Sequence, residues 1–213
     1  MSNEFDREFW EERWRSGAHG SMAASGPHPA LRAVADELEP GTALDAGCGS
    51  GAEASWLAAA GWRVTAVDIA ESAIAQARER TAGLPGAERI EWFAADLTTW
   101  TPEAPYDLVA THYAHPAMPQ LDFYDRIADW VAPGGTLLIV GHRHHEGHGH
   151  EGHGHDHDGP PAAASVTAAT VTDRLDPTVW TVRTTDEVDR VLTGPGGRPV
   201  PLHDVVVRAV RTR

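Results

Sequence analysis

The chain has 213 residues, of which 41% are hydrophobic and 23% charged, the balance of one soluble domain with a core of its own. Its 31 acidic residues against 17 basic ones give a formal net charge of −14, which argues against nonspecific nucleic-acid binding, where phosphates must be neutralised. Every basic residue is an arginine, so a lysine Schiff base and a P-loop lysine are excluded, and the single cysteine, Cys48, excludes an intrachain disulfide.

The first 20 residues are acidic and aromatic and do not read as a cleavable leader. No apolar run approaches the ~20 residues of a membrane span, so no membrane association and a cytoplasmic location are expected. Segment 5–15 alternates charged and aromatic residues at helical spacing, with Trp10 and Trp14 on one face. Segment 17–29 is a loop, 30–38 a short amphipathic helix stopped by Pro40-Gly41, and 42–46 the first strand. A glycine turn follows, then a helix over 52–60, a second strand over 62–67, and a helix over 70–81 capped by Ser72 or Asp68. Further strands are expected over 88–93 and 106–111, a helix over 121–131, and an apolar strand over 136–140 after Pro133-Gly134-Gly135. A helix over 167–175 and strands over 179–183 and 202–210 close the chain, the last two pairing as an antiparallel hairpin. Alternating strands and helices imply an α/β fold with a mainly parallel sheet.

The segment Leu44-Asp45-Ala46-Gly47-Cys48-Gly49-Ser50-Gly51 carries the most chemistry. It ends a buried strand, turns on glycines that let backbone approach a ligand, and starts a helix. The next strand ends in Val67-Asp68, a carboxylate at the sheet edge, as nucleoside-binding α/β folds require. Gly47, Gly49 and Ala52 also satisfy the dinucleotide pattern G-x-G-x-x-A, so the turn alone admits that cofactor. Cys48 inside the turn reads as a small filler residue rather than a reactive thiol.

Taken with Ala95-Asp96-Leu97, Tyr106-Asp107-Leu108-Val109 and Val131-Ala132-Pro133-Gly134-Gly135, these residues resemble the class I S-adenosylmethionine-dependent methyltransferases. The likeness runs continuously from about Leu31 to Gly141 and is looser toward the thiopurine and tellurite-resistance enzymes. It implies a Rossmann-like sheet of seven strands, ordered three-two-one-four-five-seven-six, with the last strand antiparallel. It also implies S-adenosylmethionine as cofactor and S-adenosylhomocysteine as product. By resemblance, Asp45, Gly47, Cys48, Gly49 and Gly51 hold the methionine part and Asp68 the ribose. Ile69, Asp96 and Leu97 then surround the adenine, and Thr111 lies near the methionine or the methyl. Residues 1–29 form an amino-terminal helix and loop, a candidate lid that brings Trp10 and Trp14 over the cofactor. Residues 30–213 form the methyltransferase domain.

Methyl transfer is an in-line displacement, so no universal catalytic residue is expected. Histidines are the informative departure. His112 and His115 follow the fourth strand, His142, His144 and His145 the fifth, and His203 opens the last, which the implied sheet order brings to one edge. His112, His115, His142 and His203 are candidates to line the acceptor site or act as base. His112, His115, His142 and His144 are candidate ligands of a divalent metal. A His/Gly-rich low-complexity insert at about 142–160 suits loose binding of such metals. The expected activity is methylation of a small molecule, by first choice a thiol or chalcogen compound, with O- or N-methylation of a natural product or metabolite as the alternative. A non-catalytic cofactor- or metal-binding protein on the same fold is the reading from another class. No nucleic-acid partner is expected, and the chain is read as a monomer or homodimer.

Overall fold

The structure is a computed structural model and describes residues 5–17, 26–143, 165–193, 197 and 199–212. Helix α1 (Arg7–Arg15) starts at Asp6, whose carboxylate accepts the Phe9 amide. Helix α2 (Pro29–Ala35) begins with proline in its first turn, where a missing N–H costs nothing, and is capped by the His28 ring. Strand β1 (Thr42–Ala46) leads into α3 (Ala52–Ala59), and β2 (Arg63–Asp68) into α4 (Glu71–Thr81). A single 3-10 turn, Ala87–Arg89, precedes β3 (Ile90–Ala94). Then come β4 (Tyr106–His112), α5 (Gln120–Ala128), β5 (Val131–Arg143), the two-residue β6 (Ser165–Val166), α6 (Ala168–Thr172), β7 (Trp180–Thr193) and β8 (Pro199–Arg211).

The strands form one sheet in the order β3-β2-β1-β4-β5-β8-β7, with β6 beside the end of β5. The first five of these are parallel, whereas β8 runs antiparallel to both β5 and β7. The implied order is therefore present, with β6 as an eighth strand beyond the seven expected. Alternation along β1 shows why the sheet is covered on both faces. Leu44 packs with Val109, Phe123, Ile127, Leu137 and Ile139 on one side, while Ala43 packs with Leu31, Leu57, Trp62, Leu108 and Leu138 on the other.

Several boundaries differ from the sequence reading. Val131, expected to end a helix, begins β5; the helix stops at Ala128, and Pro133-Gly134-Gly135 lies inside the strand, where the register against β4 shifts. The closing strands run to Thr193 and from Pro199, far longer than 179–183 and 202–210. Helix α4 takes no cap from Ser72. Asp68 accepts the Ala70 amide at 3.0 Å, and Glu11 of α1 accepts the Glu71 amide. Of the insert expected at about 142–160, His142 and Arg143 belong instead to β5, and the rest, including His144 and His145, lies outside the described residues.

Candidate functional site

The carboxyl ends of β1, β2 and β4 and the start of β8 meet at one edge, because β8 runs against its neighbours: His142 of β5 lies opposite Asp204. The turn after β1 is fixed from β2, with the amides of Gly47 and Cys48 bonded to the Val67 carbonyl at 2.8 and 3.0 Å. Gly47, Gly49 and Gly51 all have positive φ. A Cβ on Gly47 would meet that of Ala114 at 2.3 Å, and one on Gly49 would meet the Trp14 ring at 3.0 Å. Trp14 thus lies against the turn itself.

Asp68 is half-buried at the end of β2, its Oδ2 accepting the Gly49 amide at 2.9 Å and its Oδ1 that of Ala70. Asp45 is buried beneath the turn, and its Oδ2 has no hydrogen-bond partner among the described residues. Burial raises the Asp45 pKa well above its ordinary value, and the Glu53 and Asp68 charges push it further. Burial raises Glu53 and Asp68 as well, against the backbone amides that bond each carboxylate. Cys48 is buried, and burial with the nearby carboxylates drives its thiol pKa up, so it stays protonated and inert.

The remaining cofactor candidates fall around this centre. The Ile69 carbonyl accepts Arg7 Nη1 at 2.7 Å. Asp96 Oδ1 accepts the Thr98 amide at 2.8 Å, and Leu97 is buried in the core cluster beside it. Thr111 is buried with its hydroxyl donating to the Ala46 carbonyl at 2.8 Å, so it clamps β4 to β1. Trp10 donates from Nε1 to the His115 carbonyl at 3.1 Å and stacks on the His115 ring with centroids 6.4 Å apart.

Two of the four candidate histidines meet. The His115 and His142 rings stack at 5.3 Å, and His142 lies 4.7 Å from Tyr113. His115 Nδ1 is within 3.2 Å of Gln120 Oε1. His112 turns instead toward His28, with centroids 5.9 Å apart. His203 pairs with Asp189 at 2.7 Å, beside Arg143, and is not in that ring stack. Burial lowers the pKa of His115, pushes His142 down to about 4 with help from His115, and pushes His112 down to about 3 with help from His28 and Arg190. Among the described residues, no three His, Cys, Asp or Glu side chains gather to hold a metal ion.

Sequence reasoning missed the buried cluster behind these rings. Asp204 is fully buried and accepts from Tyr113 Oη at 2.5 Å, from Arg190 Nε, and at 3.3 Å from His28 Nε2. Arg190 also donates to Tyr113 Oη at 2.8 Å, and the His28 amide donates to Glu53 at 3.2 Å. A charged residue opening the valine run after His203 was the available signal for Asp204. Tyr113 has φ of 55°, a strained value for a side-chain-bearing residue.

Residues 43–135 match the family model described as a methyltransferase domain. The chain is 35% identical over 119 residues to trans-aconitate 2-methyltransferase of Streptomyces avermitilis, covering 52% of this chain and 43% of that protein. It is 26% identical over 137 residues to probable thiol methyltransferase 2 of Arabidopsis thaliana, covering 62% and 60%. The chain thus spans less than two thirds of either relative. Among solved structures it resembles Burkholderia thailandensis 1,6-didemethyltoxoflavin-N1-methyltransferase, which carries bound S-adenosylhomocysteine. The TM-score is 0.66 at 22% identity, over 97% of this chain and 87% of that one.

Proposed function

We propose that this chain, a class I methyltransferase by its domain and its fold, transfers the methyl group of S-adenosylmethionine to a small molecule. The observation that carries this reading is the trio of carboxylates around the glycine turn, Asp45, Glu53 and Asp68, each opposed by burial or by its neighbours. Such a cradle favours a cation and disfavours the pyrophosphate of a dinucleotide. The residues fit the cofactor on a second ground, the buried and unpartnered Oδ2 of Asp45, which suits an ammonium group.

When bound, the cofactor supplies an electrophilic methyl on a sulfonium sulfur. The Gly47–Gly51 backbone holds the methionine part close, and Cys48 fills the turn. Asp68 already accepts two amides, yet a carboxylate offers about four acceptor positions, which leaves room for two ribose hydroxyls. Ile69, Asp96 and Leu97 receive the adenine. Thr111 acts indirectly, by fixing β4 against β1. Trp14 covers the turn, with Trp10 beside it, and their faces suit a sulfonium charge.

The acceptor meets the wall of Trp10, Tyr113, His115 and His142. A ring held near pKa 4 is neutral at pH 7 and too weak a base to deprotonate an ordinary hydroxyl or amine. The histidines therefore bind and orient, and an acceptor that is nucleophilic without being deprotonated by them suits the wall, a thiol or chalcogen compound first. The likeness to the Arabidopsis thiol methyltransferase supports that choice.

Calorimetry with S-adenosylmethionine and with NAD, followed by assay of S-adenosylhomocysteine release over a panel of thiols, phenols and amines, tests the reading. Asp68→Ala should raise the cofactor Kd at least tenfold, since each charge-assisted bond contributes roughly 1.5–3 kcal/mol. NAD binding with no binding of S-adenosylmethionine would overturn it.

A further inference from the structure

Most polar side chains around the ends of β4 and β8 have partners. His28 accepts the Ala30 amide at Nδ1 and meets Asp204 through Nε2. Tyr113 Oη lies between Asp204 and Arg190. His115 is bonded to Gln120. His112 differs: Nδ1 and Nε2 are both shut off from solvent, and neither has a hydrogen-bond partner among the described residues. Two orphaned nitrogens on one ring are costly in a ligand-free fold unless the ring serves a ligand.

Its place says which ligand. His112 ends β4 on the same sheet face as Ala110, which lies opposite Asp45 in β1. Asp68 lies one strand further, on β2. His112 is thus on the far side of Asp45 from Asp68, toward β5 and β8, where the acceptor wall begins. Two arginines at this end are engaged, Arg190 with Asp204 and Arg143 with Asp189. With Glu53 and Asp204 also present, the acceptor side offers no uncommitted cation among these residues to balance an anion.

We infer that His112 is a specificity-determining residue that holds the acceptor through one donor and one acceptor nitrogen, and that the acceptor is uncharged and carries a hydrogen-bond donor. The inference rests on the methyl-transfer reading for the identity of the ligand. A neutral imidazole gives one N–H and one lone pair, which a thiol, phenol or heteroaromatic N–H can answer. A polycarboxylate answers only the N–H and brings charge into an acidic, enclosed site.

Two measurements on the full chain decide it. The first is the melting temperature of His112→Leu without ligand. Filling the site with an apolar group removes two unsatisfied atoms, so Tm should rise by about 2–4 °C; a fall would mean the nitrogens have partners within the chain and would overturn the inference. The second compares benzyl mercaptan with trans-aconitate as probe acceptors. The wild type should methylate the mercaptan and leave trans-aconitate unchanged. His112→Leu should raise KM for the mercaptan at least tenfold at unchanged cofactor Kd, and His112→Asn, which keeps a donor and an acceptor, should recover most of that loss. Turnover of trans-aconitate, or a wild-type KM in His112→Leu, sinks it. Failure of the wild type to bind S-adenosylmethionine would instead count against methyl transfer, while the Tm comparison still judges whether His112 faces a ligand.

Discussion

Asp204 shows how one buried group sets the behaviour of the acceptor side. Burial opposes its ionisation, but hydrogen bonds from His28, Tyr113 and Arg190 and the Arg190 charge outweigh burial and hold it at about 2. A carboxylate held below its unfolded value of about 3.8 stabilises the fold above pH 4 by on the order of 2 kcal/mol, and that contribution is lost as pH falls through 2. His112 and His142 act at a different pH. Held near 3 and 4, they stay neutral while the unfolded chain protonates its histidines below about 6.5, so stability declines from pH 6.5 toward 4. Denaturant midpoints measured from pH 8 to pH 2.5 should therefore fall in two stages. His112→Leu should flatten the first, and Asp204→Asn should weaken the second while destabilising the protein at pH 7. A midpoint that stays level between pH 7 and 4.5 would contradict the burial of both rings.

At the scale of elements, α1 is unusual in burying no residue of its own. It is held by polar contacts to the parts that frame the turn. Arg7 reaches the Ile69 carbonyl, Glu11 the amides of Glu71 and Ser72, and Gln76 of α4 donates to the Trp14 carbonyl. Glu11 is thereby the cap that α4 lacks in its own sequence, and it couples the helix to the loop that follows Asp68. Glu11→Ala should cost about 1 kcal/mol of stability. It should also speed cofactor release several-fold in stopped-flow tryptophan fluorescence, with turnover chemistry intact. Unchanged release would make α1 a packing element rather than a lid. The same logic explains the missed half of β7. Residues 184–193 mix threonines, charged residues and scattered apolar ones without alternation, on an edge strand paired, among the described residues, only with β8, so they lack the buried pattern that marks a central strand.

For the whole molecule, the two faces of the sheet carry the stability. Leu137 is fully buried on one face and Leu138 on the other, so Leu137→Ala should cost about 2–5 kcal/mol by leaving a cavity. Thermal unfolding should follow that loss. The ligand effect belongs to the same scale. S-adenosylmethionine at 100 times its Kd should add about 2.7 kcal/mol and raise Tm by about 5–10 °C. A dinucleotide at the same concentration should leave Tm where it is.

Resemblance to class I methyltransferases implied the strand order; the sequence by itself determined the α/β class, a mainly parallel sheet, and the glycine turn with Asp45 and Asp68 at its edges. These follow from local signals: apolar runs of strand length, positive-φ glycines, and acids placed at strand ends. It also named the histidines, but not their company. Only the tertiary structure decided that His115 and His142 stack, that His203 belongs to Asp189, and that both ring nitrogens of His112 lack a hydrogen-bond partner among the described residues. The same holds for the cluster of His28, Tyr113, Arg190 and Asp204, whose members are up to 176 residues apart in the chain. Contacts of that separation depend on the reversal of β8 against β5. Whether a buried polar group is satisfied depends on every neighbour the fold brings to it, which local pattern does not record.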